Sequence, residues 1–312
     1  MATATAQPVM VERLPRSRSM RLPPWEKLTP LLLIAPSVIL IGVFVYGFIG
    51  ATVRTSLVRW NNALPDYTFV GLHNYQRLFQ LDRFQADLVN TLHFTAIFLA
   101  GCIILGLGAA VLLDQRLRGT LFFQNVYMYP LALSFVVTGT VWRWILNPNS
   151  GVNVILGNLH LDFLKSGWLT DPNTALNSLG IAAVWQMSGF CMAMFLAGLR
   201  GIPEELREAA RVDGANEWQL FWRITFPLLR PITLSAVIIL GHISLKIFDL
   251  VYVMTFGGPG YATDMPSLYM WIATFQQFLY SRGAAIAIVL LLMVAILIVP
   301  YLVWNLRGET EQ

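Results

Sequence analysis

Residues 201–231 read GIPEELREAARVDGANEWQLFWRITFPLLRP, a charged stretch between two long apolar segments. The pattern predicts a hairpin of two short helices. Pro203 suits a first helical position, and the acidic residues after it favour a helix N-terminus. Gly214 supplies a turn residue that is free to adopt positive φ, and Asn216 is placed to cap the second helix. A compact polar hairpin therefore interrupts an otherwise apolar chain.

The sequence around this hairpin is typical of a membrane protein. The chain is 56% hydrophobic and 12% charged, about half the charged fraction of an average globular protein. A bilayer core requires roughly 20 mostly apolar residues per helix. These properties predict an all-α membrane protein with six transmembrane helices. The predicted spans are Leu31–Gly50, Thr91–Leu113, Leu121–Leu146, Asn177–Leu199, Ile232–Thr255 and Gly283–Asn305.

The distribution of basic residues predicts the orientation of these spans. Thirteen of the 21 Lys and Arg residues fall in segments that are cytoplasmic if the N-terminus is inside, and seven fall in the opposite loops. Basic residues favour the cytoplasmic side. The first apolar stretch is too long for a signal-peptide core, so we expect it to be retained. The predicted organisation is a cytoplasmic arm at 1–27, a six-helix membrane domain at 28–306 and a cytoplasmic tail at 307–312.

The hairpin would then face the cytoplasm between the fourth and fifth spans. A pair of short helices with both charge and exposed apolar surface can dock a soluble partner. It can also be a solvated loop, or lie flat on the membrane surface. Spacing alone leaves these alternatives open.

The residues of the hairpin resemble the EAA loop of permeases from binding-protein-dependent ATP-binding-cassette (ABC) importers. Phe226 stands where such loops often have Leu. The resemblance implies the type I importer permease fold, with the hairpin coupled to a cytoplasmic ATPase. The residues that it assigns to ATPase coupling are Glu208, Ala209, Ala210, Asp213, Gly214, Ala215, Phe221, Ile224 and Pro227.

Two further segments resemble carbohydrate permeases of the maltose-transporter kind. One is FVGLHNY at 69–75, which follows Trp60-Asn61, and the other runs from Phe248 to the GGPG turn at 257–260. The resemblance implies a subunit of a sugar importer in the inner membrane of a bacterium or archaeon. Its implied partners are a second permease subunit, two cytoplasmic ATPase subunits, an extracytoplasmic sugar-binding protein and the sugar.

Polar residues inside the spans are candidates for the translocation pathway. His242, Lys246 and Asp249 are spaced i, i+4, i+7 in the predicted fifth span, which would place them on one helix face. Ionisable groups at such depth normally face a partner or a water-filled path. Alternatively, Lys246 and Asp249 pair with each other and serve packing. The candidate pathway residues are Trp185, Gln186, His242, Lys246, Asp249 and Tyr252.

Several kinds of chemistry are not predicted. The sequence has no GxxxxGK[ST] loop, so we expect ATP and Mg²⁺ to bind a partner ATPase rather than this chain. It has no spaced catalytic set and no metal-ligand spacing, and Cys102 and Cys191 are expected to be buried apolar residues. The alternatives are an ion-coupled secondary transporter using Lys246 and Asp249, and a membrane-embedded enzyme. The hairpin and the absence of internal repeats count against the secondary transporter.

Overall fold

The computed structural model describes residues 33–115 and 119–310. Apart from one isolated bridge between Val58 and Phe69, the regular structure of this part of the chain is helical. The helices are α1 Leu33–Ser56, α2 His73–Phe79, α3 Asp82–Asp114, α4 Thr120–Met128, α5 Phe135–Ile145, α6 Val152–Asn158, α7 Pro172–Arg200, α8 Glu204–Val212, α9 Glu217–Leu228, α10 Arg230–Leu245, α11 Asp249–Met254, α12 Pro266–Trp271 and α13 Tyr280–Thr310.

Four of these helices are long and apolar enough to cross a membrane in one piece: α1, α3, α7 and α13. Two bent pairs supply up to two more spans. In the first pair, α4 and the 3-10 turn that extends it to Ala132 are followed by α5 with a bend of 99°. In the second pair, α9 is followed by α10 with a bend of 61°. The described residues fall into two units, 33–50 and from Ala51 onward, and the core lies in the second. The predicted arm at 1–27 lies outside the described residues. Helix α13 continues to Thr310 and so includes most of the predicted tail, which begins at residue 307.

The third predicted span, Leu121–Leu146, is not one continuous helix. The α-helix changes to a 3-10 turn at Tyr129–Ala132, and the helical structure is interrupted before α5 begins at Phe135. Pro130 lies in this turn, and proline disrupts the regular backbone hydrogen bonding of a helix. The freed carbonyl of Leu133 accepts a hydrogen bond from Nε2 of Gln186 at 2.7 Å. A neighbouring span therefore satisfies the backbone at the break, as the bilayer requires.

The fifth predicted span, Ile232–Thr255, is also broken, and the prediction of one helix is wrong there. Helix α10 ends at Leu245, and α11 begins at Asp249. Phe248 between them has φ −127° and ψ −57°, which is not helical. The carbonyl of Ile247 accepts a hydrogen bond from the hydroxyl of Ser267. A remote side chain again replaces the helical partner that the break removes.

The core is centred on the pair α3 and α7, whose backbones approach closely. A Cβ atom added to Gly106 of α3 would lie 2.6 Å from the Cβ of Cys191 in α7. Small residues at such contacts are the usual basis of helix association in membranes. Cys102 and Cys191 are both fully buried in this core and are not disulfide-bonded, which confirms the prediction that they are buried apolar residues.

Candidate coupling hairpin and pathway residues

The predicted hairpin is formed by α8 and α9. Gly214 adopts φ +82° in the turn, as the sequence predicts. Asn216 caps α9 by accepting a hydrogen bond from the backbone N–H of Gln219 at 2.8 Å, and the Gln219 side chain accepts one from the Asn216 N–H in return. Pro203 occupies the position before α8 rather than its first residue. The local signals in the sequence thus account for both ends of the turn.

The turn is closed by short backbone and side-chain contacts. The N–H of Ala215 donates to the carbonyl of Ala210 at 3.0 Å, which satisfies a carbonyl at the C-terminus of α8. Across the turn, Nε of Arg211 lies 2.9 Å from Oε1 of Glu217. These contacts join α8 to the start of α9, so the two helices present one defined surface.

The nine residues predicted to couple to the ATPase fall into three groups according to their exposure to solvent. Ala210 is buried at 7% exposure and packs inside the hairpin. Four others are exposed around the turn: Glu208, Ala209, Asp213 and Gly214. The remaining four, Ala215, Phe221, Ile224 and Pro227, are half-buried and connect the turn to the membrane end of α9.

Large apolar side chains that the sequence reasoning did not assign add to the exposed surface. Val212 is 87% exposed at the end of α8, and Trp218 is 71% exposed in the first turn of α9. Large apolar side chains that are exposed beside charged residues are typical of a protein interaction site. The signal in the sequence is the presence of Val212 and Trp218 within a segment that is otherwise charged or small.

The hairpin is fixed to the membrane helices by Arg207, which was also not assigned. Its Nη1 lies 2.8 Å from Oδ2 of Asp114, the last residue of α3, and its Nη2 donates to the carbonyl of Leu199 in α7 at 2.8 Å. The pair borders a polar cavity of about 380 Å³. Arg207 thus bonds the ends of two spans at once.

The structure does not bring the charged pathway candidates onto one helix face. His242 lies in α10, Lys246 lies just after that helix ends, and Asp249 opens α11. Lys246 and Asp249 are both exposed, and the described residues contain no ion pair between them. The helix break at 246–248 is the physical reason. The role of the three residues in translocation remains a prediction.

Tyr252 lies in a group of aromatic side chains. Its ring stacks on Phe248 with centroids 5.3 Å apart and meets Trp271 edge-on at 5.3 Å. Phe256 contacts the same ring at 5.2 Å. Tyr252 is 38% exposed and Phe256 is 47% exposed. The group therefore combines a rigid arrangement of rings with an accessible surface.

The candidates of the fourth span have different surroundings. Gln186 is buried and bonds the backbone at the break near Leu133, which is a structural task. Trp185 lines an apolar cavity of about 1030 Å³ between α3, α4 and α7. Ser188 is one of few polar groups there. Sugar hydroxyls require hydrogen-bond partners, so this cavity is poorly suited to bind a sugar.

A buried charged cluster holds the loop that follows α11. Nε of Arg83 lies 2.6 Å from Oδ2 of Asp264, which is fully buried. Burial raises the pKa of Asp264, and the adjacent Arg83 opposes this shift. The Arg83 guanidinium also lies 4.2 Å from the ring centroid of Tyr269, within range of a cation–π interaction. Asp87 is fully buried and interacts with the side chain of Asp264.

Comparison with known proteins identifies the family. Residues 102–307 match the binding-protein-dependent transport system inner membrane component, a match that covers more than half of the 312 residues. The chain belongs to this family. The match begins in the middle of α3 and includes the hairpin. The chain is therefore an importer permease, which confirms the family predicted from the hairpin residues; the coupling role of those residues stays a prediction.

Individual relatives agree with this assignment. A protein of Pyrococcus horikoshii, named as a probable ABC transporter permease, is 45% identical over 280 residues, which cover 89% of this chain and 96% of the relative. The xylose/arabinose import permease XacH of Haloferax volcanii is 36% identical over 272 residues, covering 86% and 85%. The permease is also similar to a chain in the crystal structure of a bacterial ABC transporter involved in the import of the polysaccharide alginate. That likeness has a TM-score of 0.75 at 24% identity, covers 88% of this chain and 96% of the other, and supports the fold.

The family assignment also bears on the competing functions. Permeases of this family work with a binding protein, as the family description states. The ion-coupled secondary transporter is therefore not favoured. The structure does not support the secondary transporter either. Lys246 and Asp249 are exposed, form no ion pair with each other among the described residues, and lie on separate elements.

Proposed function

We propose that this permease is one of two membrane subunits of an ATP-driven sugar importer, and that its hairpin docks on a cytoplasmic ATPase. The observation that carries the proposal is the stiff hairpin of α8 and α9, whose exposed turn combines small, acidic and large apolar side chains. Val212, at 87% exposure, is the clearest part of this surface. An apolar side chain so exposed is stabilised when a partner removes it from water.

We assign the binding and hydrolysis of ATP to a partner ATPase. The sequence contains no phosphate-binding loop, so ATP and Mg²⁺ bind the ATPase, and the permease responds to the movement of that ATPase. Two ATPase subunits and a second permease subunit complete the assembly, and the permease itself catalyses no reaction. Both termini lie in the cytoplasm, with the hairpin on the same side, as the distribution of basic residues indicates.

The sugar class rests on two supports. The permease is 36% identical to a relative named for xylose and arabinose import, and its outer loop carries the FVGLHNY segment at 69–75. The aromatic group around Tyr252 supplies rings of the kind that stack on sugar faces, and the Tyr252 hydroxyl supplies a hydrogen-bond partner. Tyr252, with Lys246 and Asp249 nearby in sequence, is assigned to the translocation pathway.

Docking is tested by Gly214→Val. A β-branched side chain at φ +82° is strained, so the turn should distort and the ATPase should fail to co-purify, while the membrane helices still insert. The matched control is Gly201→Val, at the base of the same hairpin, where φ is −81° and a Cβ meets only ordinary contacts. Full ATPase attachment in Gly214→Val would contradict the docking assignment.

The substrate class is tested in vesicles that contain the permease, its partner subunits, binding protein and ATP. We expect uptake of at least one labelled pentose, hexose or disaccharide. Tyr252→Leu should abolish this uptake because the ring is lost, whereas Tyr252→Phe should retain part of it because the ring remains. Absence of uptake across the whole panel would refute the sugar assignment without affecting the assignment of the hairpin.

A further inference from the structure

Helix α3 is one of the four helices that are long and apolar enough to cross a membrane in one piece. It contains 33 residues, which at 1.5 Å per residue gives a length of about 50 Å. It carries no Pro and no break. A helix of this kind transmits displacement along its axis better than the two bent spans can, because they change direction at irregular backbone.

The inner end of α3 is bonded to the hairpin. Arg207 of α8 and Asp114 of α3 form an ion pair at 2.8 Å, with side chains only 15% and 17% exposed. Partial burial and direct contact make this pair stronger than a fully exposed one. The same guanidinium bonds the carbonyl of Leu199 near the end of α7. A movement of α8 therefore pulls on both spans.

These two spans form one packed body. Gly106 of α3 lies directly against Cys191 and Met192 of α7, with no space for a side chain. Gly101 makes a similar approach to Val184. Interlocked surfaces of this kind resist relative sliding, because any shift brings atoms into overlap or opens voids. The pair is expected to move as a unit.

The outer end of α3 is bonded to the loop that follows α11. Nδ2 of Asn90 donates to the carbonyls of Tyr261 and Asp264, at 2.8 and 3.1 Å. Arg83 of the same helix pairs with the Asp264 carboxylate. The outer loop at 257–264 is therefore attached to the same helix whose inner end holds the hairpin.

We infer that Arg207 is a positioning residue that transmits movement of the hairpin to α3 and α7, and through α3 to the outer loop. This inference rests on the proposed function, since it presumes that an ATPase moves the hairpin. The Arg207 guanidinium is bonded to Asp114 and to the carbonyl of Leu199, and its side chain is only 15% exposed, unlike the residues around the turn. Its loss should weaken transmission while leaving attachment of the ATPase intact.

The experiment uses the assembled importer in vesicles and compares Arg207→Met with the double variant Arg207→Met, Asp114→Leu. The single change leaves Asp114 without its partner, so the yield of the complex should fall. The double change removes both charges, so the yield should recover. We expect ATPase stimulation by loaded binding protein to stay reduced about tenfold in the double variant, a loss within the usual range of coupling between sites. A residue that only stabilised the fold would give normal stimulation once the yield recovers.

Two comparisons make the outcome decisive. Arg207→Lys keeps the charge and should restore part of the stimulation. The matched control is Lys165→Met with Asp162→Leu, an exposed ion pair that lies outside the hairpin; it should leave stimulation near the wild-type level. Normal stimulation in the Arg207 double variant, or an equal loss in the control, would overturn the inference. Failure of the wild-type permease to bind an ATPase would instead refute the proposed function itself, and the inference with it.

Discussion

Replacement of Gly106 by Ala should open the contact between α3 and α7. The added Cβ would meet the Cβ of Cys191 at 2.6 Å and the backbone nitrogen of Met192 at 2.9 Å. Ordinary contacts begin at 3.4 Å, so the first of these is short by about 0.8 Å. Neither atom can leave by a change of rotamer, because one is backbone and the other is the first atom of its side chain. The two helices must therefore move apart.

Overpacking of this kind costs about 1–3 kcal/mol. Since each 1.4 kcal/mol is a factor of ten, the equilibrium for local opening of this contact should rise roughly 5- to 150-fold. Gly108, two residues further along α3, is the matched control, because a Cβ there meets nothing within 4 Å. Gly108→Ala should leave the contact unchanged, or stabilise α3 by up to about 1 kcal/mol through helix propensity.

The two native cysteines report directly on this opening. Cys102 and Cys191 are fully buried in the folded permease, and Cys191 is the residue that Gly106 contacts. In the assembled complex, the rate at which a thiol reagent labels this chain should rise in Gly106→Ala by the factor given above. The rate in Gly108→Ala should not rise. Equal rates in both variants would refute the close approach of α3 and α7.

Three other predictions follow from charges and exposure. The single variants Lys246→Met and Asp249→Leu should each leave the yield of the complex near wild type, because the two exposed side chains form no ion pair with each other. Loss of sugar uptake at normal yield would support a place for these residues in the pathway, and normal uptake would exclude it. A cysteine at Asn158 should react with an impermeant thiol reagent in intact cells and one at Gln219 should not; the reverse pattern would overturn the orientation. Asp87→Asn should melt no lower than wild type, because Asp87 is fully buried beside a second carboxyl group, Asp264, and a negative charge is unfavourable there. A marked drop in melting temperature would show that the charge of Asp87 stabilises the fold.

The sequence predicts the hairpin well because its signals are local. A glycine at the turn and an asparagine at the cap each act on neighbouring residues, so the positive φ of Gly214 and the cap at Asn216 follow from spacing alone. The four straight spans are predicted for a similar reason, since length and composition decide them. The exposure of Val212 depends on the packing of the two hairpin helices, and spacing does not determine it.

The two broken spans could not be predicted, because their stability depends on residues far away in sequence. The carbonyl of Leu133 is satisfied by Gln186, 53 residues later, and the carbonyl of Ile247 by Ser267, 20 residues later. An apolar run gives no sign that such a partner exists. The assumption of a continuous helix then placed Asp249 on the same face as His242, which the structure contradicts. The ion pair of Arg207 with Asp114 was missed for the same reason, since 93 residues separate the two.

The polar residues near these helix breaks have two different roles. A polar side chain within a membrane bundle is retained where it satisfies another group, and Gln186 and Ser267 do so for backbone carbonyls. Lys246 and Asp249 are exposed, and neither forms an ion pair within the part of the chain that the structure describes. Charges that no intrachain group satisfies must face water, a second subunit or a substrate, because lipid cannot stabilise them. The helix break removes the alternative in which Lys246 and Asp249 neutralise each other, because the described residues contain no ion pair between them. Water, a second subunit or the substrate must then stabilise the two charges, and uptake by the single variants at normal yield decides between the pathway and the other two.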